Sequence, residues 1–96
     1  MREFYRSAEL VVTSDHFVIL SPGRVQYRID FLESVYVLNH PRVGRVRATQ
    51  EIRAAYGVHD VSLYRCSDRQ TFGQVRRALI RALEGRERAR RYAASS

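Results

Sequence analysis

The chain has no lysine and no tryptophan, one cysteine, one methionine and two prolines in 96 residues. A lone Cys66 has no partner for an internal disulfide, and no cysteine–histidine spacing matches a zinc site. The longest apolar runs, such as Val35-Tyr36-Val37-Leu38, fall far short of the roughly 20 residues that cross a bilayer as a helix. Met1-Arg2-Glu3-Phe4-Tyr5-Arg6 lacks the apolar h-region of a signal peptide, so a soluble, cytoplasmic protein is the expectation. Catalytic patterns are missing too: there is no nucleophile elbow and no H-E-x-x-H. His16, His40 and His59 lie in or beside different turns, and the run Ser14-Asp15-His16 is adjacency in sequence, not triad geometry. No enzymatic activity, cofactor, metal or small-molecule substrate is expected.

What remains is a short, basic chain. Its length suits one domain spanning residues 1–96. The formal net charge is +7, and all 17 basic residues are arginine. Arginine stays charged at any working pH and forks onto phosphate or carboxylate. Such a surface favours nucleic acid, anionic lipid or an acidic protein face. The same arginines also serve simply to solvate a helix and a strand face.

From the N-terminus the pattern reads as strand. Phe4 to Val12 is one run, rich in β-branched residues towards its end, and His16 to Leu20 returns after the turn signal Ser14-Asp15. Ser21-Pro22-Gly23 predicts a tight turn, proline fixing φ and glycine free to take a positive one. Val25, Tyr27 and Ile29 alternate with polar neighbours and share a buried face. Asp30 to Ser34 interrupts the alternation, Val35 to Asn39 resumes it, and His40-Pro41-Arg42 breaks it again. From Val43 the parity predicts a strand with one wet, basic face carrying Arg45, Arg47, Thr49, Glu51 and Arg53. Gly57 opens a turn, and Val58 to Cys66 is the last strand.

Only the stretch from Ser67 has convincing helical period. Phe72, Val75, Leu79, Ala82 and Leu83 line one stripe at 3.6 residues per turn. Ser67 and Gln70 have the spacing of a capping box, and Asp68 adds negative charge at the helix start. Gly85 weakens the helix by roughly 1 kcal/mol relative to alanine. Arg86 and Arg90 then occupy the stripe, so core contact is expected to end there, with the following residues a charged extension. The resulting fold class is α+β: about five to six strands over residues 4–66, forming a small antiparallel sheet or partly open barrel. One C-terminal helix, over about 68–91, caps it.

Glu51-Ile52-Arg53-Ala54-Ala55-Tyr56-Gly57, Val61-Ser62-Leu63-Tyr64, Asp68, Thr71-Phe72-Gly73-Gln74-Val75 and Arg77 to Glu84 together resemble a family of short uncharacterised bacterial proteins with a pleckstrin-homology-like look. Val12-Thr13-Ser14 and Tyr27-Arg28-Ile29 are similar as well. Members often carry two membrane-spanning segments before the Ile52-Arg53-Ala54-Ala55-Tyr56 block. Here that region, Leu38 to Gln50, is short, polar and arginine-rich, which implies a trimmed version without them. The resemblance implies a fold and brings no catalytic or ligand residues.

The candidate binding residues are therefore arginines. Arg42, Arg45, Arg47 and Arg53 form one group, the last three at roughly 7 Å per two-residue step on the expected strand face. No stacking aromatic shares that face, unlike the grooves of single-strand nucleic-acid binders. Arg77, Arg81 and Arg88 form a second group on the outward side of the helix, where Glu84 and Arg88 have favourable i,i+4 spacing. An unclosed sheet also leaves an edge for strand addition by a peptide or a second copy. The leading expectation is a protein-binding or scaffold module, open to self-association. Nucleic-acid binding through the arginine strand face and tail is the alternative, and anionic-lipid binding a third.

Overall fold

A computed structural model gives the structure of residues 1–95. Its elements are β1 (Glu3–Arg6), β2 (Leu10–Thr13), β3 (His16–Ile19), β4 (Val25–Arg28), a 3-10 turn (Ile29–Phe31), β5 (Leu32–His40), β6 (Thr49–Tyr56), β7 (His59–Cys66) and α1 (Arg69–Ser95). The strands form two antiparallel meanders, β1-β2-β3-β4 and β5-β6-β7, neither closed on itself. The fold is α+β with a single C-terminal helix among the described residues, and seven strands where five to six were expected.

The extra strand comes from dividing Phe4–Val12. Ser7 makes the break: its hydroxyl accepts the backbone N–H groups of Glu9 and Leu10 at 3.1 and 3.2 Å, closing a turn that an extended strand would forbid. Thr13 does the same at the next corner, accepting from Asp15 N and His16 N at 3.2 and 3.0 Å. That bonding explains how a hydroxyl residue is buried there. The turn after β3 falls at Ser21–Gly23 as expected, but the positive-φ glycines among the described residues are Gly44 and Gly57, not Gly23. The interruption after Ile29 is a 3-10 turn, followed by Ser34 at φ 52° and a register shift between Glu33 and Tyr36 that bends β5.

The two sheets and the helix share one core. Leu10, Val12 and Phe17 come from the first sheet, Ile52, Ala54 and Leu63 from the second, and Phe72, Val75, Leu79 and Ala82 from α1. The helical stripe buries as its period predicts, with Leu83 half-buried at its margin. Each fully buried Leu, Ile, Val or Phe among them contributes about 1.5–3 kcal/mol, which is what holds a helix with eight arginines against two sheets. The cap differs from expectation. Asp68, not Ser67, closes the N-terminus: its carboxylate accepts Gln70 N at 3.0 Å and the Thr71 hydroxyl at 2.8 Å. Those bonds, the one from Thr71 foremost, hold the Asp68 carboxyl below its ordinary range.

Gly85 does not end the helix, and Arg86 does not end its contact with the core. The Arg86 side chain is 9% exposed. Its guanidinium donates to the carbonyl oxygen of Ile29 at 2.9 Å and to that of Leu32. One turn on, Arg90 donates to the carbonyl of Asp30 at 2.9 Å. Three carbonyls in and beside the 3-10 turn thus find partners on the helix, that of Ile29 in addition to the N–H of Leu32. The apolar stripe is continued by two cations because the surface it meets changes from side chains to backbone oxygens.

Candidate binding surfaces at the two ends of the second sheet

The seven arginines singled out above do not form one site. Arg42, Arg45 and Arg47 lie outside any strand, in the connection between β5 and β6, because β6 begins only at Thr49. Pro41 ends β5, and the chain then folds on itself: Val43 and Val46 exchange backbone hydrogen bonds of 3.2 and 2.9 Å across a turn with Gly44 at φ 58°. The expected strand face shared by Arg45, Arg47 and Arg53 is therefore not present; Arg42, Arg45 and Arg47 ride on a projecting arm. Arg42 Nε donates to Gly44 O at 3.2 Å, while Arg45 and Arg47 have no hydrogen-bond or ion-pair partner among the described residues. Val43 and Val46 on the same arm are 69% and 66% exposed. A groove of about 460 Å³ opens at its base, lined by Asn39, His40, Thr49, Gln50, Ser67 and Arg69.

Arg53 is in a different situation. The face of β6 that alternation made wet and basic is centred on Glu51, which is 6% exposed. Glu51 meets His40 Nε2 at 2.8 Å and Arg53 Nη1 at 3.0 Å. Arg53 also reaches Asp60 at 3.2 Å, and the Tyr36 hydroxyl donates to that same carboxylate at 2.9 Å. A hydrogen bond from the Ser62 hydroxyl, then those from His40 and Arg53, lower the Glu51 carboxyl from 4.5 to about 2 against the cost of its burial. Hydrogen bonding by Tyr36, then by Asp60 and Glu51, raises the Arg53 guanidinium in turn. This face is a closed polar network and leaves Arg53 no free fork for a partner. Sequence parity cannot reveal this, because it shows which residues share a face and not that β5 and β7 bring His40, Tyr36, Asp60 and Ser62 over it.

Arg77, Arg81 and Arg88 are exposed on α1, as expected. Arg77 and Arg81 border a shallow groove with Phe4 and Tyr5 of β1. Arg88 lies further along, beside Ile80, Leu83 and Arg91. No ion pair joins Glu84 to Arg88; Glu87 pairs with Arg86 and Arg90 instead, at 3.4 and 3.5 Å. Cys66 is half-buried at the end of β7, where its sulfur accepts Asp68 N at 3.3 Å. His16, His40 and His59 sit on β3, β5 and β7. Among the described residues no group of three or more His, Cys, Asp or Glu side chains is arranged to hold a metal ion, and no helix is long and apolar enough to cross a membrane.

The opposite end of the second sheet carries a surface that sequence reading passed over. The β6–β7 turn and the 3-10 turn border an open pit of about 750 Å³, lined by Phe31, Tyr56 and Val58 together with Asp30, Glu33, His59 and Arg90. Phe31 is 52% exposed and Val58 94%. Tyr56 is braced from behind: its ring meets Tyr27 edge-on at 5.0 Å and Phe31 at 6.4 Å, and its hydroxyl accepts Arg28 N at 3.3 Å. The Arg28 guanidinium lies over the Phe31 ring, 4.9 Å from its centroid. The available signal was the isolated apolar residue after Gly57 and the phenylalanine inside the interruption after Ile29, both out of step with any buried stripe. No family model, curated protein or solved structure matches the chain.

Proposed function

We propose that the chain is a non-enzymatic protein-binding module, pleckstrin-homology-like in plan, that docks an acidic protein surface through the arm between β5 and β6. One observation carries the reading: Arg45 and Arg47 stand without partners beside two exposed valines on a turn held by its own hydrogen bonds. Unpaired guanidinium groups next to exposed apolar side chains match protein interfaces, where arginine is enriched among the residues that dominate affinity. A fixed turn also reduces the ordering cost of binding. Nucleic acid is the weaker reading, because Pro41 to Gln50 contains no aromatic side chain on which a base could stack. An anionic membrane surface is weaker still, since two valines bury little area in a headgroup layer.

The test is affinity capture with the full chain against its Arg45→Glu/Arg47→Glu variant, with Arg77→Glu/Arg81→Glu as a control for bulk charge. The reading expects a defined protein held by the wild type and the helix variant, and lost at least tenfold by the arm variant. Retention on single-stranded or duplex DNA that falls steeply with salt would move the assignment to nucleic acid. Co-sedimentation with vesicles containing phosphatidylserine, absent with phosphatidylcholine alone, would move it to lipid.

A further inference from the structure

Phe4 and Tyr5 are neighbours in β1, and strict alternation would send them to opposite faces of the sheet. The register is not strict there: Glu3 lies opposite Thr13 and Tyr5 opposite Val12, so β1 advances two residues while β2 advances one. Such a bulge re-aims side chains, and both rings pack at the margin of the core beside α1. They form one wall of a groove of about 340 Å³, and Gln74, Arg77, Ala78 and Arg81 of α1 form the other. We propose that this groove binds a mononucleotide, its phosphate held by Arg77 and Arg81 and its base lying against Phe4.

The charge of the groove calls for an anion. Arg77 and Arg81 are four residues apart, so their side chains leave one face of α1 about 5–6 Å from each other and both guanidinium groups can fork onto one phosphate. Neither has a hydrogen-bond or ion-pair partner among the described residues. Gly73, one turn earlier, leaves room for Arg77 to lie along the helix, its Nη1 3.4 Å from where a β-carbon would stand. No carboxylate lines the groove. Those nearest in sequence are engaged elsewhere: Glu3 accepts from Arg6 at 2.8 and 2.9 Å, and Glu84 lines a separate groove beside Leu83 and Arg88. The pit differs in this respect, because its Asp30 and Glu33 are matched by Arg28, Arg86 and Arg90. The aromatic wall then selects what carries the phosphate. The Arg2 guanidinium lies over the Phe4 ring, 5.3 Å from its centroid, so that ring face is open to a flat group. A base stacks on such a ring or on the guanidinium plane beside it, whereas inorganic phosphate leaves the wall unused. The groove is shallow and near the lower end of the roughly 300–1,000 Å³ of small-ligand sites, which sets a weak Kd, on the order of 0.1–1 mM. No residue of the arm lines it, so this site and the docking role of the arm stand or fall separately.

Amide proton–nitrogen correlation NMR of the full chain, titrated separately with adenosine monophosphate, adenosine and inorganic phosphate, reports both place and affinity. The nucleotide is expected to shift the amides of Tyr5, Gln74, Arg77 and Arg81 saturably, and to bind about tenfold more tightly than adenosine or phosphate alone. Arg77→Gln/Arg81→Gln weakens it about tenfold or more. Arg76→Gln/Arg91→Gln removes the same charge from exposed positions of the same helix outside the groove, and leaves the nucleotide affinity within about twofold. Phe4→Leu keeps an apolar side chain against the core and brings the nucleotide down to the affinity of phosphate. Circular dichroism checks that each variant is folded. Phosphate that binds as tightly as the nucleotide overturns the assignment, because the aromatic wall then contributes nothing. Equal losses in the two arginine pairs, or shifts spread over the arginines of the arm and tail, overturn it as well, since both describe attraction to net charge alone. So does the absence of any saturable shift up to about 5 mM nucleotide, well above the expected Kd.

Discussion

Arg86 and Arg45 are the same residue type in a chain that uses no other cation, and they sit near opposite ends of the same sheet. Arg86 is enclosed, with two backbone carbonyls on its guanidinium and Glu87 and Glu33 at 3.4 and 3.9 Å. Arg45 projects on the arm with nothing attached. The first end presents backbone oxygens in and beside a 3-10 turn to its arginines, and those arginines complete the fold. The second end has its backbone already paired across Val43 and Val46, and its arginines have nothing internal left to complete. A net charge of +7 therefore overstates the surface available to a partner. What matters is the cations that remain after local carbonyls and carboxylates have been satisfied.

The largest expected effect tests the enclosed end. Arg86→Met keeps the stem that lies against the core but removes the donors to Ile29 and Leu32. The Ile29 carbonyl keeps the N–H of Leu32, but the lost charge-assisted bonds to both carbonyls cost about 2–3 kcal/mol in urea unfolding. Arg86→Lys recovers only part of this, since its ammonium stops one bond short of the Nη1 that meets both carbonyls and forfeits the Nη2 ion pairs with Glu87 and Glu33. If Arg86→Met unfolds within about 0.5 kcal/mol of wild type, the margin for an ordinary surface change, the carbonyls are satisfied by water and the contrast between the ends disappears.

Glu51 comes next, because it decides whether Arg53 belongs with the enclosed or the free arginines. Its folded value, about 2, lies below its ordinary value of 4.5. The sign follows: the stabilisation is complete above about 4.5 and is lost as pH falls from there towards 2. Glu51→Gln retains the shape but removes the charge that His40 and Arg53 share, at a cost of about 2 kcal/mol at neutral pH. Urea unfolding between pH 6 and 2 should show an acid limb in the wild type that is shallower in the variant. Identical limbs would mean that Glu51 is not held as a carboxylate, and that Arg53 is freer than its contacts suggest.

Most of the architecture was legible because it rests on period. The α1 stripe, the β2–β3 hairpin and the break after Ile29 all follow from which side chains share a face. Three features escaped because period is blind to them. Ser7 divides the first run through a hydroxyl that bonds backbone two and three residues on, in a stretch whose alternation continues undisturbed. The parity of Val43 to Thr49 is as regular as that of a strand, yet Pro41 and the positive φ of Gly44 turn it into an arm. Arg86 and Arg90 interrupt an apolar stripe, which reads as the end of burial. They are buried or half-covered because their targets are oxygens of the main chain, which leave no mark in a pattern of side chains. The pit was missed for a related reason: Phe31 and Val58 come together only when the ends of β5 and β6 are paired.

The smallest expected change in stability is at the free end, and its smallness is informative. Arg45→Ala/Arg47→Ala deletes two of the three cations on the arm, while the hydrogen bonds that hold it run between the main chains of Val43 and Val46. Unfolding in urea should therefore agree with wild type within about 0.5 kcal/mol. A cost above 1 kcal/mol would mean that these side chains support the fold, leaving them no more available than Arg86. If stability is unchanged while partner capture falls, the arginines of the two ends divide the work. Arginines near backbone oxygens then belong to the structure, and arginines on a backbone that satisfies itself belong to whatever the protein meets.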